Sequence, residues 1–269
     1  MGSERLVRPA GPVSGADGTH EPVVVVADDP PAAGRLVAEV IRGVVRASPR
    51  CRLGLATGST PRPAYRELVA AHAGDGDAFA RVTALLLDEY VGLSPDDPRS
   101  YRATIRRELT DGLGIPPAQV LGPAIGDDPA AACAAYEAVV RARGGVDLQL
   151  LGIGRNGHVG FNEPGTPFDA PTHVVALTPT TRADNARFFD RPEDVPTHAV
   201  TQGIGTILRA DRLLLAATGR AKAPAVAAAL EGPVDPACPA SALRRHPRVT
   251  VVLDRDAAAG LRRSGRSAG

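Results

Sequence analysis

Lysine is almost absent from this chain: of 31 residues that are Lys or Arg, only Lys222 is a lysine. Where arginine has been accepted so widely, a surviving lysine points to a position that needs a compact ammonium instead of a planar fork; chance survival on the surface is the alternative. Charge of one sign is also lacking, since a net charge of +1 offers no footing for nucleic acid, an anionic membrane or another polyanion. No apolar run approaches the roughly 20 residues needed to span a bilayer. The three cysteines, Cys51, Cys133 and Cys238, are too dispersed for a CxxC pair, which favours free thiols over disulfides or thiolate metal ligands. No second histidine stands at a ligand spacing such as HxxxH, so no metal site is expected. Residues 1–21 lack the apolar core of a signal peptide and read as a disordered tail; residues 257–269 read as a second tail. The expectation is a cytoplasmic protein with one domain over residues 22–256.

What is present is an alternation of strand-like and helix-like runs, the pattern of an α/β domain with a largely parallel sheet. Strands are expected over 22–27, 52–56, 82–87, 146–151, 212–216 and 249–253. Helices are expected over 32–47, from 61 to about 73, and over 100–109, 129–143 and 221–230. Strand C-termini in a parallel sheet share one edge, so the polar loops that follow them can converge there.

The richest of these loops is Gly152-Ile-Gly-Arg-Asn-Gly-His-Val-Gly-Phe-Asn-Glu-Pro-Gly165, directly after an apolar strand. Its glycines let the backbone turn and approach a ligand, and Asn156, His158, Asn162 and Glu163 can exchange protons or hydrogen bonds. Thr57-Gly58-Ser59-Thr60-Pro61 lies between a strand and a helix, where backbone N–H groups and hydroxyls suit an anion. It lacks the P-loop pattern, and by itself it is equally an ordinary N-cap. Asp88, at the end of a buried strand, would be partly desolvated and hence a better base; a cap or a loop ion pair is the plain alternative. The segment 181–190 reads as a helix that could present Arg187 to a ligand, or as a solvated charge row.

Four segments occur together: Ala-Thr-Gly-Ser-Thr-Pro at 56–61, Leu-Asp-Glu-Tyr-Val-Gly at 87–92, the Gly152–Pro164 loop, and Thr-Arg…Asn-Ala-Arg-Phe-Phe at 181–189. In this order they resemble the glucosamine-6-phosphate deaminase family, over about residues 22–252. The resemblance implies a Rossmann-like three-layer α/β sandwich. It implies conversion of D-glucosamine 6-phosphate and water to D-fructose 6-phosphate and ammonia, in amino-sugar catabolism and without a cofactor. By that resemblance Thr57, Gly58, Ser59, Thr60, Arg187 and Lys222 would hold the 6-phosphate. His158 would open the sugar ring, Asp88 would move the proton between carbon 2 and carbon 1, and Glu163 would set the protonation of His158. Asn156 stands where some members carry aspartate; it can orient the imidazole but cannot offset its charge. The partner is then a small amino-sugar phosphate, with a homo-oligomer compatible. In allosteric members, basic residues shortly after Asn-Glu-Pro bind N-acetylglucosamine 6-phosphate at a subunit interface. The corresponding positions here are His173 and Val175, with Asp169 nearby, so that activation is not expected. A 6-phosphogluconolactonase, which resembles this fold, and a sugar-phosphate sensor are the rival readings; Gly-Phe-Asn-Glu-Pro and Asp-Glu-Tyr favour the deaminase.

Overall fold

A computed structural model describes residues 5–7, 18–72, 78–94, 96–124, 126, 128–186 and 189–262. The strands are β1 (Arg5–Val7), β2 (Val23–Ala27), β3 (Arg52–Leu55), β4 (Thr83–Leu86), β5 (Asp88–Tyr90), β6 (Val120–Leu121), β7 (Leu148–Gly152), β8 (His173–Ala176), β9 (His198–Thr201), β10 (Leu213–Ala217) and β11 (Val249–Asp254). The α-helices are α1 (Pro30–Ala47), α2 (Arg62–His72), α3 (Tyr101–Ile105), α4 (Pro129–Ala142), α5 (Pro179–Asn185), α6 (Ile204–Ile207) and α7 (Ala223–Glu231).

Eight strands form the main sheet in the order β1-β2-β11-β10-β7-β3-β4-β6, parallel except for β1. Apolar runs such as Leu213–Ala217, buried throughout, suit strands covered on both faces. One face packs under α1 and α2 through Val37, Ile41, Tyr65 and Leu68; the other packs under α4 and α7 through Tyr136, Val140, Val226 and Ala229. Two apolar layers around one sheet make the expected Rossmann-like sandwich. α1 starts at the Asp29 cap, whose carboxylate accepts from Ala32 N at 2.7 Å, with Pro30 and Pro31 in the first turn. No helix among the described residues is long and apolar enough to cross a membrane.

From β3 the chain winds outward to β4 and β6, then returns so that β7 pairs with β3 on its other side. Loops after β3 and β7 therefore diverge, opening a crevice at the carboxyl ends of the two strands, the usual ligand position in open α/β sheets. The first of these loops is 57–61 and the second is 153–165.

Several expectations change in detail. The tail expected over residues 1–21 includes Arg5–Val7, which pairs antiparallel with Val24–Val26. The tail from 257 begins with a 3-10 turn, Ala257–Gly260, in which Ala257 is fully buried. The run 82–87 is not one uninterrupted strand followed by a loop: β4 ends at Leu86, and after Leu87 the chain enters a second sheet of order β5-β9-β8. Leu87 joins the two, donating to Leu55 O at 2.9 Å and accepting from Gln202 N at 2.8 Å. The helix expected over 100–109 changes from α to π geometry at Arg106, and that expected over 221–230 opens as a 3-10 turn, Arg220–Lys222.

Candidate active site

At the crevice the loops surround a cavity of about 240 Å³. Thr57, Gly58, Ser59 and Thr60 line one side, at the approach to α2; Asp88, His158 and Lys222 also line it. Asn156 and Glu163, expected beside them, stand behind the imidazole and are not part of the cavity wall. Arg187 lies outside the described residues. All three cysteines are free thiols, as expected.

Asp88 occupies the joint where the chain crosses from one sheet to the other, which explains its burial: only 7% of it is exposed. Burial, and then the charge of neighbouring Glu89, raise its pKa to about 8. Glu89 points away along the strand alternation and accepts backbone N–H groups of Tyr90 (2.8 Å), Tyr101 (2.9 Å) and Arg102 (2.9 Å). That carboxylate seats the first turn of α3 and so places the Tyr101 ring, which lines the cavity. Tyr101 stacks on Phe161 with centroids 6.1 Å apart, and its hydroxyl lies 3.1 Å from that of Tyr90.

The His158 ring is held from behind. Its Nδ1 is 2.7 Å from Asn156 Oδ1 and 3.7 Å from Glu163 Oε1. Asn156 Nδ2 donates to Glu163 Oε2 at 2.6 Å, and Thr181 Oγ1 donates to Glu163 Oε1 at 3.2 Å. A carboxylate can only accept, so the amide NH₂ must face Glu163 and the amide oxygen must face the imidazole. Nδ1 then carries a hydrogen, and proton exchange falls to Nε2. Of the loop glycines, Gly157, Gly160 and Gly165 have positive φ, whereas Gly152 and Gly154 do not. Gly154 serves close approach instead, because a Cβ there would come within 2.2 Å of the His158 ring. Asn162 is structural: fully buried, its amide donates to Val159 O and Gln202 O, both at 2.8 Å.

Lys222 ends the turn before α7, and the start of that turn is set by Asp254. Both Asp254 carboxylate oxygens accept from Gly219 N at 3.0 Å. Sequence reasoning missed Tyr101, Phe161, Arg155 and Asn185 as cavity residues. Arg155 stood within the loop but was lost among many arginines; Tyr101, thirteen positions after Asp88, carried no local signal.

A cavity joining a hydroxyl- and amide-rich loop, a lysine, a high-pKa carboxyl and an oriented imidazole defines an α/β protein equipped for proton transfer on a small anion. The sequence profile of the family described as glucosamine-6-phosphate isomerases/6-phosphogluconolactonase matches residues 30–252, and the chain belongs to that family. It is 52% identical to a glucosamine-6-phosphate deaminase of Arthrobacter sp. (strain FB24), covering 85% of this chain and 88% of that one. It is 50% identical to a glucosamine-6-phosphate deaminase of Streptomyces coelicolor, covering 89% and 92%. Among solved structures it resembles a monomeric glucosamine-6-phosphate deaminase, at 43% identity and a TM-score of 0.85 over 88% of this chain and 99% of the other. A 6-phosphogluconolactonase from Trypanosoma cruzi shares the fold at 22% identity, with a TM-score of 0.73 over 90% and 97%.

Proposed function

We propose that the chain is a glucosamine-6-phosphate deaminase, converting D-glucosamine 6-phosphate and water to D-fructose 6-phosphate and ammonia. The observation that carries this reading is that Asp88, with its pKa held at about 8, and the oriented His158 line one cavity with Thr57–Thr60 and Lys222. The 50–52% identity to deaminases, against 22% to the lactonase, favours this activity over lactone hydrolysis.

The 6-phosphate binds against the Thr57–Thr60 loop and Lys222, with Arg187 as a further ligand. Its binding energy, remote from the reacting carbons, holds the opened sugar in place. His158 opens the ring: Nε2 takes the proton of the carbon-1 hydroxyl and returns one to the ring oxygen as the carbon–oxygen bond breaks. Ionised Asp88 then removes the carbon-2 proton and delivers it to carbon 1, while the carbon-1 oxygen gains a proton and the nitrogen gives one up, leaving a hydroxyl on carbon 1 and an imine on carbon 2. Water adds to the imine and ammonia leaves. One short carboxylate can serve both adjacent carbons when they present the same face. Glu163 and Asn156 act through His158, fixing its tautomer, and need not touch the sugar.

Incubation with glucosamine 6-phosphate tests this: ammonia and fructose 6-phosphate should appear in equal amounts. Hydrolysis of 6-phosphogluconolactone without ammonia release would assign the chain to the other activity of its family. Binding of the sugar phosphate without turnover would make it a sensor.

A further inference from the structure

Glu163 is held in a way that keeps it off the imidazole. Its backbone is pinned by Thr166, which donates to Glu163 O through N at 3.0 Å and through Oγ1 at 2.7 Å. Its carboxylate has two donors among the described residues, Asn156 Nδ2 on Oε2 and Thr181 Oγ1 on Oε1. Oε1 stops 3.7 Å from His158 Nδ1, outside hydrogen-bond distance, and Asn156 Oδ1 takes the Nδ1 hydrogen at 2.7 Å instead. A carboxylate is the stronger acceptor of the two, so something must restrain Oε1. Thr181 supplies the restraint. It is the third residue of α5, and Thr178 is the cap of that helix. Thr178 Oγ1 accepts from Thr181 N at 3.1 Å and lies 2.9 Å from Thr181 Oγ1. Because a carboxylate only accepts, the Thr181 hydroxyl must direct its hydrogen to Glu163 and accept from Thr178. The helix cap therefore fixes this hydroxyl. Thr181 and Asn185, one turn further on, both stand on the cavity wall.

We propose that Thr181 is a positioning residue for ring opening: by holding Glu163 Oε1 it leaves Nδ1 to the neutral amide of Asn156 and keeps the imidazole from pairing directly with the carboxylate. The consequence for catalysis rests on the deaminase reading. Ring opening asks Nε2 to take one proton and return another. A carboxylate bonded directly to Nδ1 would stabilise the protonated ring and slow the return. Asp88, Arg155 and Lys222 share the cavity with His158 and are unaltered by an exchange of Nδ1 partners, so the difference between the two arrangements lies with Glu163.

Nitrogen NMR of the full chain, carrying isotope-labelled histidine, tests this without turnover. The chain has six histidines, and the signal missing from His158→Gln identifies the ring of interest. At a pH where that ring is neutral, Thr181→Val should move the Nδ1–H signal downfield, as the hydrogen passes from an amide oxygen to a carboxylate. Thr181→Ser, which keeps the hydroxyl, should leave the signal at the parent position. With glucosamine 6-phosphate, kcat of Thr181→Val should fall about tenfold and KM should stay within about twofold, the loss expected for one hydrogen bond to a charged group. Serine should restore kcat. A matching thermal transition for each variant checks that it is folded. A signal that valine leaves in place would overturn the proposal, as would a shift that serine fails to reverse. A raised KM with kcat unchanged would make Thr181 a substrate ligand and overturn it equally. No ammonia from the parent would remove the deaminase reading, whereas the Nδ1 signal would still decide whether Thr181 restrains Glu163.

Discussion

The imidazole of His158 lies so close to Gly154 that a methyl group there would stand 2.2 Å from both Nδ1 and Cε1. The same residues are joined by a hydrogen bond from Gly154 N to His158 O at 2.8 Å, so the loop closes on itself and the ring has no room to retreat. Gly154→Ala should therefore push the ring off Asn156 while leaving the sheet intact. Misplacing a catalytic group by about 1 Å can cost about 10²-fold in rate, and kcat is expected to fall by about that much with little change in thermal stability. Near-parental kcat would mean that the ring can move without consequence.

Asp88 must be ionised to accept the carbon-2 proton, so kcat/KM should climb with pH through about 8 and level off above it. The same carboxyl affects stability. Its folded pKa is raised above the unfolded value of about 3.9, so the stability it contributes is full below that value and is lost as pH rises through about 8. Asp88→Asn removes the ionisation. Turnover should drop by about 10² to 10⁴ while sugar-phosphate binding persists. Denaturant unfolding above pH 8 should show a gain on the order of a few kcal/mol, at about 1.36 kcal/mol per unit of pKa shift. A variant retaining half the parent rate would remove Asp88 from the role of base.

Asn156 uses both ends of its amide, the oxygen toward His158 and the NH₂ toward Glu163. Asn156→Asp, although close in shape, takes away the donor and sets two carboxylates face to face. The expected result is a lower kcat at neutral pH, partly restored on acidification as one proton comes to be shared between them. A pH–rate profile of the variant checks this. An unchanged profile would show that Glu163 does not depend on the amide hydrogen.

Lys222→Arg probes the one lysine of the chain. It lines the same cavity as the Thr57–Thr60 loop, and a longer, forked arginine should misplace a phosphate held there. KM for glucosamine 6-phosphate should rise with a smaller change in kcat. If neither constant moves, Lys222 is a surface survivor.

Activation by N-acetylglucosamine 6-phosphate is not expected. His173 and Val175 both fall on β8; His173 Nδ1 is engaged with Pro171 O at 2.9 Å, and Val175 packs beside the core cluster around Tyr90 and Phe161. Neither supplies a permanent cation, and an effector without differential binding cannot shift a conformational equilibrium. Rates should follow a hyperbola in substrate, unaffected by the acetylated sugar. A sigmoid that the effector straightens would contradict this.

The local chemistry of the chain was determined by sequence alone. Apolar runs capped by Gly, Pro and Asp marked the main strands and helices, because their burial and capping depend on neighbours close in sequence. The Gly152–Gly165 loop, Asp88 and Lys222 were legible because each is an unusual residue type for its setting. Tertiary structure decided what those residues do together. Strand order β10-β7-β3-β4 brought four distant loops to one crevice. The crossing from β4 to β5 buried Asp88, and with it raised the pKa that a linear reading could only anticipate in direction. Glu89 illustrates the difference: next to Asp88 in sequence, it anchors the start of α3 through the backbone N–H groups of Tyr101 and Arg102. Burial and long-range hydrogen bonds depend on which segments meet, and adjacency in sequence does not encode that meeting.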